Sequence, residues 1–242
     1  MNSKIDADLF LTSKVVGITG ASGTLGRALI AELSLKGAKI VAFTSSPAAE
    51  FAPDIQVVSW QLGAEAELLE HFKQIDILII NHGINVYGDR SSAAINQSYE
   101  VNTFSALRLA DLFFSTVSDS SDRSNKELWV NTSEAEVNPA FSPLYELSKR
   151  ALGDSITLSR LDAPCTVRKL VLGPFKSQLN PAGVMSSEWI AWAIVELARR
   201  DFDNIIVTIN PLTYLLFPLK EFCQSIYFRS LTKSSKIISQ NE

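Results

Sequence analysis

The stretch VVGITGASGTLG, residues 15–26, joins a short apolar run to a segment whose apolar residues have helical spacing. After the apolar run, glycines stand at positions 20, 23 and 26. In such a turn the first glycine permits a tight bend, the second lets the backbone approach a pyrophosphate, and the third lets the helix pack closely on the strand. Unpaired N–H groups at the start of the helix then face the anion. The stretch therefore predicts a dinucleotide-binding turn, against the alternative of a plain strand–helix connection.

Strand-like and helix-like patterns alternate along the rest of the chain. The predicted strands cover residues 15–18, 39–43, 55–60, 76–80, 128–131, 167–172 and 204–209. Strands that alternate with helices form a parallel sheet covered on both faces. We therefore predict an α/β fold, a Rossmann-like doubly wound parallel sheet of about seven strands. Residues 1–242 are expected to form a single dinucleotide-binding domain, with residues 211–242 as an apolar and basic C-terminal extension.

The composition excludes several classes of protein. A hydrophobic fraction of 46% with 20% charged residues is globular. A net charge of −4 argues against nucleic-acid binding, and two cysteines with two histidines give no ligand set for a structural metal. The N-terminus lacks the apolar core of a signal peptide, and no run is long enough for a transmembrane helix, so we expect a cytoplasmic protein.

Three further motifs follow the glycine turn in order: Asn81-His82-Gly83 after an apolar strand, Tyr145-x-x-x-Lys149, and Gly173-Pro174 after another strand. With the spacing T-G-x-x-G-x-x-G, these motifs resemble the short-chain dehydrogenase/reductase family, in its extended or atypical branch. The resemblance covers roughly residues 14–210. It implies an NAD(P)-dependent oxidoreductase that transfers a hydride between nicotinamide and a carbonyl or alcohol substrate.

Tyr145 and Lys149 carry the chemistry that this resemblance implies. Four residues apart, they lie on one face of a helix. A nearby ammonium lowers the pKa of a phenol, so Tyr145 could donate a proton to a carbonyl oxygen or remove one from an alcohol. By resemblance, Lys149 also binds the nicotinamide ribose, and Asn102 holds a water in a relay to Lys149. The predicted catalytic residues are Asn102, Ser133, Tyr145 and Lys149.

The serine that the family places after its fifth strand is out of register here. An ungapped alignment puts Glu134 at that position and Ser133 one residue early. Because adjacent residues of an extended chain face opposite sides, a local bulge is needed to bring Ser133 into the site. We favour Ser133 over Glu134 and Thr132. A glutamate facing the site would weaken polarisation of the carbonyl.

The end of the second strand distinguishes the two nicotinamide cofactors. NAD enzymes typically carry an acidic residue there for the ribose 2′-hydroxyl, whereas this chain has Thr44-Ser45-Ser46. The absence of a carboxylate, together with nearby Arg27, favours NADP over NAD. The residues expected at the cofactor, partly by resemblance, are Thr19, Gly20, Ser22, Gly23, Thr24, Leu25, Gly26, Thr44, Ser45, Ser46, Gln61, Asn81, His82, Gly83, Tyr145, Lys149, Gly173 and Pro174.

The C-terminal segment leaves several partners open. Residues 211–231 are rich in Leu, Phe and Tyr, and basic residues outnumber acidic ones from position 218 onward. Such a segment fits the core, a contact in a homo-oligomer, or a peripheral contact with a membrane. Residues 130–150 also resemble the dehydrogenase half of bifunctional sterol-desaturase/short-chain-dehydrogenase proteins, which implies a lipid-like small-molecule substrate.

Two other functions compete with net carbonyl or alcohol chemistry. One is an NADP-binding module with little turnover, serving as a sensor or as the partner of a membrane-bound enzyme; Glu134 and the C-terminal segment favour it. The other is epimerase or dehydratase chemistry, in which a bound cofactor is used transiently. The short C-terminal region argues against the second, because enzymes of that kind usually carry a larger substrate domain.

Overall fold

The structure is a computed structural model that describes residues 10–46, 49–118 and 125–233. Its strands are β1 (Val15–Thr19), β2 (Lys39–Thr44), β3 (Gln56–Ser59), β4 (Ile77–Ile80), β5 (Glu127–Asn131), β6 (Thr166–Leu172) and β7 (Asn204–Val207). Its α-helices are α1 (Thr24–Leu35), α2 (Leu69–Lys73), α3 (Ser92–Tyr99), α4 (Ser105–Phe114), α5 (Pro143–Ser159), α6 (Ser187–Arg199) and α7 (Thr213–Leu231). Short 3-10 turns cover Glu65–Leu68 and Glu134–Glu136, and a π-helical turn, Glu100–Phe104, joins α3 to α4.

The seven strands form one parallel sheet in the order β3-β2-β1-β4-β5-β6-β7. The predicted fold class and all seven predicted strands are confirmed. Strands β2 and β3 extend the sheet on one side of β1, and strands β4 to β7 extend it on the other side. In open parallel sheets the ligand binds outside the carboxyl ends of the strands at this switch point, so the sheet places a site between β1 and β4.

Two apolar layers hold helices to the sheet. One packs α1 and α6 against one face, through residues such as Leu29 and Ile194. The other packs α2, α4 and α5 against the opposite face, through residues such as Phe113 and Ile156. The run Ile77–Ile80 is buried at every position because its side chains enter both layers.

The predicted C-terminal extension forms α7, which packs against α5. Its part beyond residue 233, and the N-terminal residues 1–9, lie outside the described residues. A buried ion pair anchors α7: Lys169 of β6 lies 2.9 Å from Glu221 of α7 and 2.8 Å from Glu136. Among the described helices, none combines the length and apolar character needed to cross a membrane.

Candidate active site

A cleft of about 1400 Å³ opens at the carboxyl end of the sheet. Residues that end or follow each of the seven strands line it, as the switch-point geometry requires. Most of the predicted site residues lie in its wall. Thr19, Gly26, Thr44 and Asn102 are buried behind that wall instead, and Ser46 lies beside the cleft without lining it. These five residues can support the site without forming its surface.

The glycine turn leaves room for phosphate groups. Gly20 has a φ of +63°, and a Cβ there would lie 2.9 Å from the His82 Cα. A Cβ at Gly26 would overlap the Gly20 carbonyl oxygen. Gly23 caps the N-terminus of α1, whose first turn contains no acidic residue. The free amides and the absence of side chains suit the diphosphate of a dinucleotide.

Thr19 organises the segment that follows β4. Its hydroxyl accepts a hydrogen bond from the Asn81 amide at 3.0 Å and lies 2.9 Å from Nδ1 of His82. Asn131 at the end of β5 donates to Oδ1 of Asn81 at 3.0 Å, which joins the ends of two neighbouring strands. Burial lowers the pKa of His82 to about 3, so the ring is neutral at neutral pH and forms a wall of the cleft.

The end of the cleft beside β2 carries hydroxyl groups that form hydrogen bonds with one another. The Thr44 hydroxyl donates to Ser22 at 3.1 Å and accepts from the Ser46 amide at 3.1 Å. The Arg27 guanidinium donates a hydrogen bond to the Ser22 carbonyl at 3.1 Å, which holds its positive charge beside these hydroxyl groups. Ser45 lines the cleft directly.

A bulge at the end of β5 brings Ser133 to Tyr145. The amides of Thr132 and Ser133 both donate to the Leu170 carbonyl of β6, at 3.1 and 3.3 Å, so two residues oppose one. Ser133 then adopts φ 75° and ψ 152°, a conformation that few residues other than glycine tolerate. The Ser133 side chain hydrogen-bonds with the Tyr145 phenol.

Glu134 also lines the cleft, but its carboxylate is held by partners other than Tyr145. Its carboxylate accepts hydrogen bonds from the side chains of Asn138 at 3.1 Å, Asn210 at 2.9 Å and Thr213 at 2.9 Å, and from the Thr208 hydroxyl. These donors belong to the turn itself and to the β7–α7 connection. Of the three candidates that the sequence left open, Ser133 is therefore the one that the fold brings to Tyr145.

Tyr145 and Lys149 share one face of α5 and both line the cleft. Lys149 donates to the Asn131 carbonyl at 2.9 Å. Burial lowers the pKa of Lys149 to about 8, and the negative charge of Glu136 opposes this shift. Burial raises the pKa of Tyr145, against the effect of its hydrogen bond with Ser133. Burial is the larger of these two effects, and the predicted lowering of the Tyr145 pKa by Lys149 stays a prediction.

Asn102 fixes the loop after β4. It lies in the π-helical turn, accepts from the Ile84 amide at 2.8 Å, and donates to the Ile84 carbonyl and the Ser148 hydroxyl, each at 3.0 Å. A Cβ on Gly83 would lie 3.0 Å from Oδ1 of Asn102 and 3.8 Å from Nζ of Lys149. Asn102 thus holds this loop close to Lys149. Its predicted role in a water relay stays a prediction.

Two hydrogen bonds that the sequence did not predict bridge the cleft between the loop after β4 and the loop after β6. The side-chain amide of Asn85 donates a hydrogen bond to the Leu179 carbonyl at 3.3 Å. The Tyr87 hydroxyl donates to the Gln178 carbonyl, also at 3.3 Å. The sequence also did not predict Trp60, whose ring meets His82 edge to face at 5.4 Å between centroids. No local motif marks these residues, because each contact joins segments that are distant in sequence.

Comparison with known proteins agrees with this geometry. Residues 14–160 match the family model described as short chain dehydrogenase. The chain belongs to the short-chain dehydrogenase family. The predicted family is confirmed, and with it an NAD(P)-dependent enzyme that binds a nicotinamide cofactor.

One relative is similar along nearly the whole chain. It is the "Monoglucosyldiacylglycerol epimerase" of Synechocystis sp. (strain ATCC 27184 / PCC 6803 / Kazusa), 55% identical over 233 residues. The match covers 94% of this chain and 57% of the relative, so the chain spans little more than half of the relative's length.

Solved structures share the fold at low identity. A short chain dehydrogenase from Burkholderia cenocepacia J2315 in complex with NADP has a TM-score of 0.73 at 19% identity, covering 92% of this chain and 99% of that one. The NADPH-dependent 3-quinuclidinone reductase from Rhodotorula rubra has a TM-score of 0.70 at 19% identity, covering 86% and 94%.

Proposed function

We propose that this chain transfers a hydride between NADP and a ring carbinol of a lipid-linked hexose, and that the net reaction is epimerisation of that carbon. The observation that carries the proposal is the convergence of Ser133, Tyr145 and Lys149 on one cleft, below a glycine turn suited to a dinucleotide. The sugar and its lipid are inferred from the name of the relative that is 55% identical.

The chain's own groups account for the proton chemistry. Tyr145 takes the hydroxyl proton of the substrate as the carbinol becomes a ketone, and returns it when the ketone is reduced. Ser133 hydrogen-bonds the same oxygen and holds it at the phenol. Lys149, positively charged below a pH of about 8, stabilises the phenolate while it exists. The bound nicotinamide supplies the acceptor and donor of the hydride.

Epimerisation requires one further event beyond these steps. The ketone has to present its opposite face before the hydride returns, so that the configuration at the carbon is inverted. Proton and hydride are then both restored, and the cofactor ends in its starting oxidation state. The relative named as an epimerase aligns along 94% of this chain, and the aligned part is 57% of the relative.

The test is conversion of the lipid itself. Purified protein is incubated with monoglucosyldiacylglycerol in detergent micelles and with NADP⁺ far below the lipid concentration, and the sugar is then released and separated by chromatography. We expect an epimer of glucose to accumulate beyond the amount of cofactor. Tyr145→Phe should abolish conversion, whereas Tyr227→Phe, at an exposed position on α7, should not.

Net carbonyl or alcohol oxidoreduction is the second candidate, since the same Ser133, Tyr145 and Lys149 set serves it equally well. It predicts that substrate turnover consumes cofactor one for one and stops when the cofactor is exhausted. That result would replace the epimerase proposal. Cofactor binding without turnover of the glycolipid or of a broad panel of ketones and aldehydes would instead support the binding module.

A further inference from the structure

Most apolar side chains of the helix α7 face solvent, whereas two of its three buried residues are polar. Its buried residues are Thr213, Phe217 and Glu221. An exposed stripe at helical spacing runs along the opposite side, where Leu215 is 66% and Phe222 64% exposed. We call this stripe the outer face of α7; it comprises Leu212, Leu215, Leu216, Leu219, Phe222 and Ile226.

Polar contacts on the inner side fix this orientation. Glu221 lies 2.9 Å from Lys169 and 3.0 Å from Arg160, and accepts from Thr157 at 2.9 Å. Lys220 lies 2.7 Å from Glu136. Rotation of α7 to bury the apolar stripe would leave Lys169 and its neighbours without their partners in a site that excludes water. The outer face is therefore a stable feature of the fold.

The outer face begins close in sequence to the mouth of the cleft. Ile209, 62% exposed, lines the cleft and precedes Leu212 by three residues. Exposed apolar residues also stand on other parts of the mouth, among them Phe141 and Val184. Exposed apolar residues on a helix and at a neighbouring site entrance are typical of a docking surface.

The charges on α7 suit a lipid surface. Its one acidic residue, Glu221, is paired on the inner side. The exposed charges at its C-terminal end are the basic Arg229 and Lys233. Apolar side chains in a stripe, bordered by basic residues, are the pattern of a helix that lies in the headgroup region of a membrane.

We propose that the outer face of α7 rests on a lipid bilayer that contains anionic lipids, with the cleft mouth at the membrane surface. The inference deepens the proposed function: a cleft that holds a dinucleotide and a sugar leaves the two acyl chains of the substrate outside, where the bilayer accommodates them. The bilayer then presents the headgroup without extraction of the whole lipid.

The test is flotation of the full chain with vesicles of phosphatidylcholine, alone or mixed with phosphatidylglycerol. The test variant is Leu215→Ser/Leu219→Ser/Phe222→Ser. The matched control is Leu35→Ser/Val57→Ser/Phe202→Ser, which removes exposed apolar residues elsewhere. We expect the wild type and the control to float, more strongly with phosphatidylglycerol, and the test variant to lose about tenfold or more in vesicle affinity.

Several outcomes would overturn the proposal. Wild-type protein that stays with neither type of vesicle contradicts it, as does undiminished flotation of the test variant. If sedimentation without lipid shows a wild-type dimer that the test variant converts to a monomer, and neither floats, the face is a contact between copies of the chain. Circular dichroism and thermal unfolding confirm that each variant is folded.

Activity assays distinguish the proposed membrane contact from the proposed epimerase activity. On glycolipid dispersed in detergent micelles, the test variant should match the wild type, whereas on glycolipid embedded in vesicles it should be about tenfold slower. A wild-type protein that floats but epimerises nothing refutes the epimerase alone. Epimerisation that is equally fast for both proteins on vesicles refutes the membrane contact alone.

Discussion

The carboxylate of Glu134 accepts a hydrogen bond from the Thr213 hydroxyl at 2.9 Å, which ties the residue beside Ser133 to the first residue of α7. Asn210 donates to the same carboxylate at 2.9 Å. The turn that positions Ser133 is thus fixed by the β7–α7 connection. Glu134, which an ungapped alignment puts in the position of the catalytic serine, therefore stabilises this turn. The neighbouring Ser133 interacts with Tyr145 instead.

Alanine substitutions should separate these two tasks. Glu134→Ala leaves several buried donors without their acceptor, so we expect it to lower the free energy of unfolding by about 2–4 kcal/mol. Ser133→Ala removes a donor to the substrate oxygen and should lower kcat by roughly 10²-fold. It also removes the acceptor of the Ala135 amide, so we expect a smaller loss of stability, about 1 kcal/mol. Urea unfolding and steady-state kinetics measure both. The opposite pattern, with Glu134→Ala slow and stable, would assign the catalytic role to the glutamate.

The backbone of Ser133 allows a second test at one position. Its φ of 75° and ψ of 152° cost a residue with a Cβ about 1–3 kcal/mol. Ser133→Gly should therefore be more stable than Ser133→Ala by roughly 1 kcal/mol or more, while both lose the hydroxyl and are equally slow. Thermal unfolding of the two variants makes the comparison. Equal stabilities would show that the bulge stores no strain.

Most of the fold was predictable from the sequence because local patterns determine it. The apolar run Ile77–Ile80 and the glycine turn each specify their own structure, and Tyr145 and Lys149 share a helix face by spacing alone. The position of Ser133 was not determined locally, because the bulge depends on the carbonyl of Leu170, which lies on another strand.

The same limit applies to electrostatics. The direction of the Tyr145 pKa shift follows from burial by segments far along the chain, which spacing on one helix does not reveal. The π-helical turn at Asn102 and the loop contacts of Tyr87 also arise from tertiary packing. Motifs therefore identified which residues meet at the cleft, and only the folded chain showed their orientation and charge.

The cofactor preference should depend on Ser45 at the end of β2. An aspartate there would repel a 2′-phosphate and accept a hydrogen bond from a 2′-hydroxyl. We expect Ser45→Asp to weaken NADPH binding by about tenfold or more and to leave NADH binding equal or stronger. Ser45→Asn, nearly equal in size but neutral, is the control. Isothermal titration measures the affinity of each protein for both cofactors, and wild-type protein that binds NADH more tightly than NADPH would contradict the NADP assignment.

His82 should make stability depend on pH. Burial lowers its pKa from 6.5 to about 3, so below 6.5 the unfolded chain takes up a proton that the folded chain does not. This contribution to stability is present above pH 6.5 and is lost as the pH falls toward 3, with a slope of at most about 1.4 kcal/mol per pH unit. His82→Gln should flatten the decline between pH 7 and pH 4.5, measured by urea unfolding. His71→Gln, at the other histidine, is the control.

Substitutions of Tyr145 and of Lys149 should have different effects on dinucleotide binding. Tyr145→Phe keeps the ring but removes the proton donor, so we expect dinucleotide affinity to be retained and turnover to fall by about 10²–10⁴-fold. Lys149→Met should lose turnover and also weaken dinucleotide binding, because one ammonium serves both. Lys73→Met, at an exposed lysine, is the control. Turnover that survives Tyr145→Phe would refute the proposed proton transfer.

The pH dependence of binding identifies the Lys149 contribution directly. Because burial lowers its pKa to about 8, the free protein loses this positive charge as the pH rises from 7 to 9. The attraction for an anionic dinucleotide then weakens, so the wild-type Kd should rise by several-fold over that interval. Lys149→Met has no proton to lose there, and its weaker Kd should stay nearly constant. Fluorescence titration with NADPH at the two pH values measures the difference, and parallel curves for both proteins would assign the titration to another group.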